Sequence, residues 1–295
     1  MQLLVYILAY PFLWLVSILP YRLFYGLSDV VFFWIYHVIG YRKKVVLQNL
    51  QLVFPEKEKE ELLDIRREFY KHFCDIFFEM IKSLNISNEE IKKRYFLTNI
   101  DLLKEIEKEK SILVPSAHYA NWEWSVSINL YLKAKGFAIY QEVKNPYFDK
   151  LVRRIRGAFG ATSITQKQTI KKVIYNEKNG VRGIYGLVSD QSPQVSRAQY
   201  WNDFMGIKVP IHTGTELLAR KLDMAVVFCK VKKVKRGYYE ATFIPITLDA
   251  KTTNTHEITD TFLRLAEEQI KEAPAYYFWT HKRWKHRNKV PDKFK

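Results

Sequence analysis

The sequence predicts an α/β protein with a mixed, mostly parallel central sheet flanked by helices, and with an apolar helical membrane anchor at its N-terminus. Three observations predict it. Residues 1–21 carry no charge, short apolar runs alternate with helical patterns after residue 95, and the last two apolar runs are separated by a short basic stretch. Alternating strands and helices are typical of a sheet that is covered by helices.

The N-terminal segment is the first of two predicted units, an anchor at residues 1–41 followed by an α/β domain at 42–295. Its uncharged run, residues 1–21, is about as long as a helix that crosses the hydrocarbon core of a bilayer. No basic residue precedes the run, so the start of a cleavable signal peptide is missing. Two interpretations stay open. Either the run spans or re-enters a membrane while residues 22–41 lie along its surface, or these are buried helices of a soluble protein.

Prolines and charges refine this prediction. Pro11 and Pro20 are expected to kink or end a helix. A second apolar stretch at residues 30–41 is too short to span a membrane by itself and runs directly into three basic residues. Because basic residues follow the apolar run, the positive-inside rule predicts that the large C-terminal part is cytoplasmic.

Apolar periodicity predicts the remaining elements. Apolar residues recur at three- and four-residue spacing over residues 57–84, which predicts a long amphipathic helix after a shorter one at 42–54. The last two apolar runs, split by KKVKRG, predict a hairpin, so the sheet is mixed. The predicted strands are 111–115, 137–141, 183–188, 224–231 and 239–246, and the predicted helices between them lie near 100–108, 121–134, 146–158, 167–177, 212–222 and 256–272.

The composition limits the kinds of partner and of metal site. The net charge of +16 favours an anionic partner: nucleic acid, anionic lipid or a phosphorylated substrate. Two isolated cysteines, Cys74 and Cys229, predict buried free thiols rather than a zinc site or a disulfide framework. Seven scattered histidines show no metal-binding spacing, so the sequence predicts no metal site.

The stretch SAHYANWEW, residues 116–124, follows a predicted strand, and ligands of such sheets sit at the carboxyl ends of strands. Asn121 is predicted to cap the next helix, which places Glu123 in its first turn. His118 in this position can act as a general base, with Glu123 as the partner that holds its tautomer. The alternative is a loop histidine beside an ordinary helix-start carboxylate.

The sequence lacks the motifs of common enzyme nucleophiles, which limits the reactions in which His118 could act as a base. The chain contains neither a G-x-S-x-G serine elbow nor a glycine-rich phosphate loop, and both cysteines lie far from His118 in sequence. We therefore expect His118 to deprotonate a substrate hydroxyl, which attacks an external acyl group directly.

HYANWE resembles the H-x4-D/E signature of the glycerolipid acyltransferase superfamily, and its flanks are similar to the branch that contains the late acyltransferases of lipid A biosynthesis. The resemblance covers most of the chain. Four further blocks occur in the order of that branch: NLQLVFPE at 49–56, YQEVKNPYFDKLVRRIRG at 140–157, GLVSDQSP at 186–193 and YYFWTHKRWK at 276–285.

The resemblance implies an O-acyltransferase that moves a fatty acyl chain from a thioester, on acyl-carrier protein or coenzyme A, to a hydroxyl of a lipid A precursor without a further cofactor. It implies catalytic roles for His118, Glu123 and Arg156. A guanidinium at Arg156 could stabilise an oxyanion or hold a phosphate, with Arg153 and Arg154 as rivals for that role. The residues expected to bind substrate are Asn121, Trp122, Lys144, Asn145, Asp149, Arg153, Asp190, Gln191, Lys282 and Arg283.

Two departures from the family leave the acceptor open. Gln141 stands where the family often has arginine, and Ser192-Pro193 follows the Asp-Gln block where another acidic residue is common. Another glycolipid, a phospholipid or a polyketide-like molecule is therefore an alternative acceptor. Two alternatives to an acyltransferase also stay open, a nucleic-acid-binding protein and a non-catalytic lipid-binding protein. No nucleic-acid-binding motif is recognisable, however, and we expect no nucleic-acid partner.

The C-terminal stretch 281–295 contains seven lysines and arginines and one aspartate. Such a stretch suits an anionic membrane or an acidic carrier protein, since each basic residue near an anionic surface contributes about 1 kcal/mol. A solubilising tail is the alternative.

Overall fold

A computed structural model describes residues 1–294 of the chain. The strands are β1 Tyr95–Leu97, β2 Ile112–Ser116, β3 Lys135–Tyr140, β4 Thr162–Thr165, β5 Gly183–Val188, β6 Tyr200–Phe204, β7 Ile207–Ile211, β8 Ala225–Lys235 and β9 Tyr238–Thr247. The helices are α1 Gln2–Ile18, α2 Tyr21–Phe33, α3 Lys43–Val53, α4 Lys59–Lys82, α5 Asn88–Arg94, α6 Ile100–Ile106, α7 Pro146–Arg156, α8 Thr169–Lys178, α9 Gly214–Leu222 and α10 Glu257–Glu272.

A seven-stranded sheet of order β1-β9-β8-β2-β5-β3-β4 forms the centre, and its neighbouring strands are all parallel except β8 and β9. Successive residues of β2 alternate between two apolar clusters, with Ile112 and Val114 in one and Leu113 in the other. Both faces of the sheet are therefore buried, as is typical of parallel strands. The predicted mixed, mostly parallel sheet flanked by helices is confirmed.

The five strands predicted from apolar runs are all present, but three details differ. The predicted α-helix at 121–134 is instead a short 3-10 helix, Trp124–Leu130. The turn of the β8–β9 hairpin is confined to Arg236 and Gly237, because the lysine-rich stretch before it continues β8. Gly237 takes a φ of +75°, which suits glycine. The third difference is that four strands, β1, β4, β6 and β7, were not predicted, because they are too short or too polar to show a clear apolar run.

At the N-terminus, the helix that could cross a membrane is not the one that the sequence favoured. Pro20 does separate two helices, whereas Pro11 lies inside α1. The helix α2 continues through a π-helical segment, so a helix of 19 residues with a mean hydropathy of 1.2 runs from Tyr21 to Ile39. By length and composition alone this helix could cross a membrane, and α1, with 17 residues, is shorter. The stretch at 30–41 is therefore part of a longer helix.

One side of these N-terminal helices packs onto the remainder of the protein, and the other side is apolar and exposed. Ser28 on α2 donates to Asp75 on α4 at 2.8 Å, and Lys82 on α4 donates to the carbonyl of Leu19 at 2.6 Å. Many apolar side chains of α1 and α2 are nevertheless exposed, so the alternative that these are buried helices is wrong. The exposed apolar residues are Leu3, Leu4, Val5, Ile7, Leu8, Phe12, Trp14, Leu15, Ile18, Leu23, Val30, Phe33, Trp34, Val38 and Ile39. We call this set the apolar face.

Candidate active site

His118 lies at the centre of the sheet's carboxyl edge. It follows β2, a strand with five buried residues, and β2 pairs in parallel with β5 through partners that end at Ser116 and Val188. His118 and Asp190 each stand two residues beyond that last pair. The register of two parallel strands therefore brings the two side chains to the same edge.

The side chains of His118 and Asp190 are hydrogen-bonded. Nδ1 of His118 lies 2.6 Å from Oδ1 of Asp190, which also accepts the backbone N–H of His118 at 3.1 Å. Asp190 is 1% exposed. Burial by itself raises the pKa of Asp190, but the charge and hydrogen bonds of His118 outweigh it and hold the pKa below its usual value. An ionised Asp190 can only accept, so in the neutral imidazole Nδ1 carries the proton and Nε2 keeps its lone pair.

Nε2 of His118 faces the polar side of the site. The side chain of His118 is 20% exposed, and the amide Nε2 of Gln191 lies 3.3 Å from the imidazole Nε2. Trp122 and Phe278 surround the ring, with ring centroids 5.3 Å and 5.8 Å from that of His118. An imidazole held in this tautomer, with an accessible Nε2, has the geometry of a general base.

Glu123 pairs with Arg156 and not with His118. Its carboxylate accepts two bonds from Arg156, from Nη2 at 2.6 Å and Nε at 3.0 Å, and a third from the indole of Trp122 at 3.1 Å. The expected His118–Glu123 partnership is thus corrected: Asp190 takes that place. The reason is that the α-helix predicted from residue 121 does not form, so Glu123 is not in a helical first turn. Burial lowers the pKa of Arg156, but Glu123 outweighs it and raises the pKa, so the guanidinium is charged.

The loop that carries His118 and Glu123, residues 117–123, is called the His118 loop below. Ala120 in this loop has a φ of +47°, a left-handed conformation that is costly for any residue but glycine. The backbone of residues 276–278 holds the loop: Phe278 N–H donates to the carbonyl of His118, and Ala120 N–H donates to that of Tyr276, both at 3.0 Å. The predicted N-cap role of Asn121 is wrong, because the residue before the 3-10 helix Trp124–Leu130 is Glu123; Oδ1 of Asn121 instead accepts the N–H of Trp124 at 2.9 Å across the end of the loop.

Asn121 was expected to bind substrate, but its side chain is fully buried. Its amide nitrogen donates to Oε2 of Glu79 at 2.7 Å, and its oxygen is used by Trp124. Both groups are therefore satisfied inside the protein. Trp122 and Gln191, in contrast, are only part-buried and lie against His118, as a substrate-binding role requires.

The predicted residues of α7 divide into supporting and exposed ones. Asn145 caps α7, accepting the N–H of Tyr147 at 3.0 Å, and Asp149 is buried, where it accepts from Tyr140 at 3.2 Å and from the N–H of Val143 at 3.0 Å. Asp149 is engaged within the protein, which corrects its expected contact with substrate, whereas Asn145 is half-buried and its expected contact stays a prediction. Lys144 is exposed, and Arg153 pairs with Asp149 at 2.9 Å while remaining 54% exposed.

The C-terminal basic block likewise contains one exposed and one buried residue among those predicted to bind substrate. Lys282 is exposed, but Arg283 is 1% exposed and lies inside the protein, where it donates to Ser192 and to the carbonyl of Pro210, both at 3.2 Å. Burial lowers the pKa of Arg283. The expectation that Arg283 binds substrate is therefore wrong, and it braces the segment after Asp190 instead. A stretch rich in basic residues gave no sign that one of them is buried.

Two residues of the site were not singled out from the sequence. His281 lies beside the segment after Asp190, with Nε2 3.5 Å from the backbone nitrogen of Ser192, and burial lowers the pKa of His281 to about 4. Glu79 reaches the His118 loop from α4. An acidic residue among the aromatics of the predicted amphipathic helix was the available signal for Glu79, whereas nothing distinguished His281 from its basic neighbours.

Residues 1–294 give little support for a metal site or for a cysteine nucleophile. No group of three or more histidines, cysteines, aspartates and glutamates in this part of the chain is placed to hold a metal ion. Cys74 and Cys229 are buried and free, as predicted. Burial raises the pKa of each thiol to about 12, so neither is a nucleophile at neutral pH.

Comparison with known proteins places the chain in a family. The family described as bacterial lipid A biosynthesis acyltransferase matches residues 2–286. The lipid A biosynthesis lauroyltransferase of Escherichia coli strain K12 is 24% identical over 290 residues, which cover 96% of this chain and 92% of that protein. A lipid A biosynthesis acyltransferase of Haemophilus influenzae is 23% identical over 282 residues, covering 91% and 83%. The palmitoleoyltransferase of Escherichia coli strain K12 is 21% identical over 287 residues, covering 93% and 89%. The chain belongs to the bacterial lipid A biosynthesis acyltransferase family.

Proposed function

We propose that this protein is an O-acyltransferase that moves a fatty acyl chain from an acyl thioester directly onto a hydroxyl of a lipid A precursor, with His118 as general base. The observation that supports it most is the His118–Asp190 pair at the carboxyl edge of the sheet, with Nε2 of His118 accessible beside Gln191. Membership of the family supports the reaction type and the lipid A-type acceptor.

The proposed reaction needs one proton relay. Nε2 of His118 takes the proton of the acceptor hydroxyl as the oxygen attacks the thioester carbonyl. The carbon–sulfur bond then breaks, and the departing thiolate takes the proton from the imidazolium. Asp190 stabilises the imidazolium through Nδ1–H and does not itself become protonated, since its pKa is held low.

Glu123 and Arg156 act as a pair in this proposal. Glu123 occupies Nε and Nη2 of Arg156, and a guanidinium has five N–H groups, so three remain for a substrate. A fixed, charged guanidinium beside the His118 loop suits the oxyanion of the tetrahedral intermediate or a phosphate of the acceptor. Glu123 then contributes by holding Arg156, and not as the partner of His118.

The donor and the membrane belong to the same proposal. An acyl chain on acyl-carrier protein or coenzyme A is an anionic donor, which suits a chain of net charge +16. The apolar face supports attachment to a membrane, and the basic residues that follow it favour the inner membrane with the catalytic part in the cytoplasm.

Contacts between α1 and α7 support a lipid acceptor. Tyr6 on α1 stacks against Tyr147 at 5.7 Å, and Tyr10 accepts from Arg154 at 3.0 Å. The helix α7 ends at Arg156. The apolar face therefore adjoins α7, the helix that carries Arg156, the partner of Glu123. In this proposal a lipid held in the membrane by that face lies near the site.

The test is acyl transfer by the purified protein in liposomes, with acyl-carrier-protein and coenzyme A thioesters as donors and a lipid A precursor as acceptor. Mass spectrometry is expected to detect the mass of one added acyl chain. His118→Ala is expected to lower the rate about 10³-fold. A His118→Ala variant with the wild-type rate would exclude the proposed base, and acylation of another glycolipid alone would exclude the lipid A precursor.

A further inference from the structure

The carboxylate of Glu79 lies beneath the His118 loop, completely buried on α4. Its Oε2 accepts the amide of Asn121 at 2.7 Å and the hydroxyl of Tyr239 at 2.8 Å, and its Oε1 accepts the hydroxyl of Tyr25 at 2.8 Å. One carboxylate thus joins the loop to a strand of the central sheet and to the membrane-facing helix α2.

The His118 loop needs such an attachment. Ala120 has a left-handed backbone with a φ of +47°, and strain of this kind persists only where the surroundings fix it. Before Ala120 the backbone of 276–278 fixes the loop. After Ala120 the attachment is the side chain of Asn121, together with the indole of Trp124, which donates to the backbone carbonyl of Glu79 at 3.0 Å. Glu79 therefore accepts a hydrogen bond from each of these two side chains, through its carboxylate and its backbone carbonyl.

We infer that Glu79 is a positioning residue for the catalytic step: by holding Asn121, it fixes the part of the His118 loop that sets Glu123 and its partner Arg156 relative to His118. The inference rests on the proposed acyl transfer at His118. A buried carboxylate is a poor choice for stability alone, since its desolvation is costly and an apolar residue of similar size is often as good. Burial raises the pKa of Glu79 to about 7, which is the expected consequence of that desolvation.

The experiment is an exchange of the two groups across the Glu79–Asn121 bond in the full-length protein. Asn121→Asp alone sets two carboxyl groups against each other, whereas Asn121→Asp with Glu79→Gln restores a donor and an acceptor in reversed order. Asp75→Asn is the matched control, since Asp75 is a buried carboxylate on the same helix that contacts Ser28 and Arg236 but not the His118 loop.

The readouts are kcat and KM for acyl transfer and the Tm of each variant. We expect Asn121→Asp to lower kcat about 100-fold with little change in KM, because a displacement of about 1 Å at a reacting centre costs that much. The double variant is expected to recover at least tenfold of this loss, and Asp75→Asn to stay within a few-fold of the wild type.

The inference is overturned if Asn121→Asp keeps its kcat, if the double variant recovers nothing, or if Asp75→Asn loses kcat as strongly as Asn121→Asp. A His118→Ala variant measured beside them separates this from the proposed function. An active His118→Ala protein would contradict the catalytic base, whereas an inactive one beside a fully active Asn121→Asp protein would contradict the role of Glu79 alone.

Discussion

His118 Nδ1 and Asp190 Oδ1 lie 2.6 Å apart although 72 positions separate the residues in sequence. The pairing of β2 with β5 produces this contact, since each residue stands two positions beyond the partners Ser116 and Val188. A slip of one residue between these strands would turn one of the side chains to the opposite face. The base and its partner are therefore placed by the register of two paired strands at the centre of the sheet.

Asp190→Asn is expected to lower kcat about 10³-fold or more at pH 7 while the protein stays folded. Asparagine can donate to Nδ1, which favours the tautomer with the proton on Nε2, and that tautomer cannot accept a proton from the acceptor hydroxyl. The measurement is the rate of acyl transfer at saturating substrates together with the Tm.

Asp203→Asn is the control for this change, because Asp203 lies on β6 with its side chain 56% exposed. It is expected to leave the rate unchanged. Equal rates for the Asp190→Asn protein and the control would show that Asp190 does not act on His118.

Glu123→Gln and Arg156→Gln are expected to lower kcat by about 100-fold each, and the double variant by no more than either single one. The reason is that the two side chains act as one unit through their two hydrogen bonds, so removal of either disables both. A double-mutant cycle on kcat/KM measures this coupling. If the losses multiply in the double variant, the two residues act independently, and Glu123 has a role apart from Arg156.

The stability of the protein is expected to depend on pH through His281. Burial lowers the pKa of His281 from 6.5 to about 4, so between these values the unfolded chain binds a proton that the folded protein does not. Above pH 6.5 both states are unprotonated at His281 and the effect is absent, whereas from pH 6.5 towards 4 the free energy of unfolding falls by up to about 1.4 kcal/mol per pH unit. Urea unfolding of the wild type and of His281→Gln at pH 7.5, 5.5 and 4.5 tests this.

The informative quantity is the difference in free energy of unfolding between the two proteins, because other titrating groups cancel in it. We expect the variant to gain relative to the wild type as the pH falls. A difference that stays constant from pH 7.5 to 4.5 would mean that His281 is protonated equally in the folded and unfolded states.

The sequence predicted the long-range pattern of the fold better than its local detail. Buried strands such as β2 and β8 are readable because their apolar runs are continuous, and the hairpin follows from two such runs close together. The 3-10 helix after Asn121 was not readable, because its apolar and polar residues fit an α-helix equally well. The loop before it is held by a bond from Asn121 to Glu79, which lies 42 positions earlier in the chain and is invisible to local periodicity.

In the candidate site, too, some residues could be predicted from the sequence and others could not. His118 was identified from its place after a strand, but its partner was sought nearby in sequence, at Glu123. Parallel strands bring distant residues together, and only the register of β2 and β5 selects Asp190. The burial of Arg283 is likewise a matter of packing, which neither charge nor spacing reveals.

Leu4→Gln with Leu8→Gln is expected to weaken binding to anionic liposomes about tenfold or more without lowering the Tm. The two leucines are 60% and 70% exposed, lie one helical turn apart on α1 and belong to the apolar face, so in a bilayer they would bury area that they expose in water. Full burial of one leucine is worth about 1.5–3 kcal/mol, and about 1.4 kcal/mol corresponds to a tenfold change in partition. Co-sedimentation with liposomes measures the effect, and Ile170→Gln on α8, where Ile170 is also 60% exposed, is the matched control. Unchanged binding of the double variant, or an equal loss in the control, would contradict the assignment of the apolar face to the membrane.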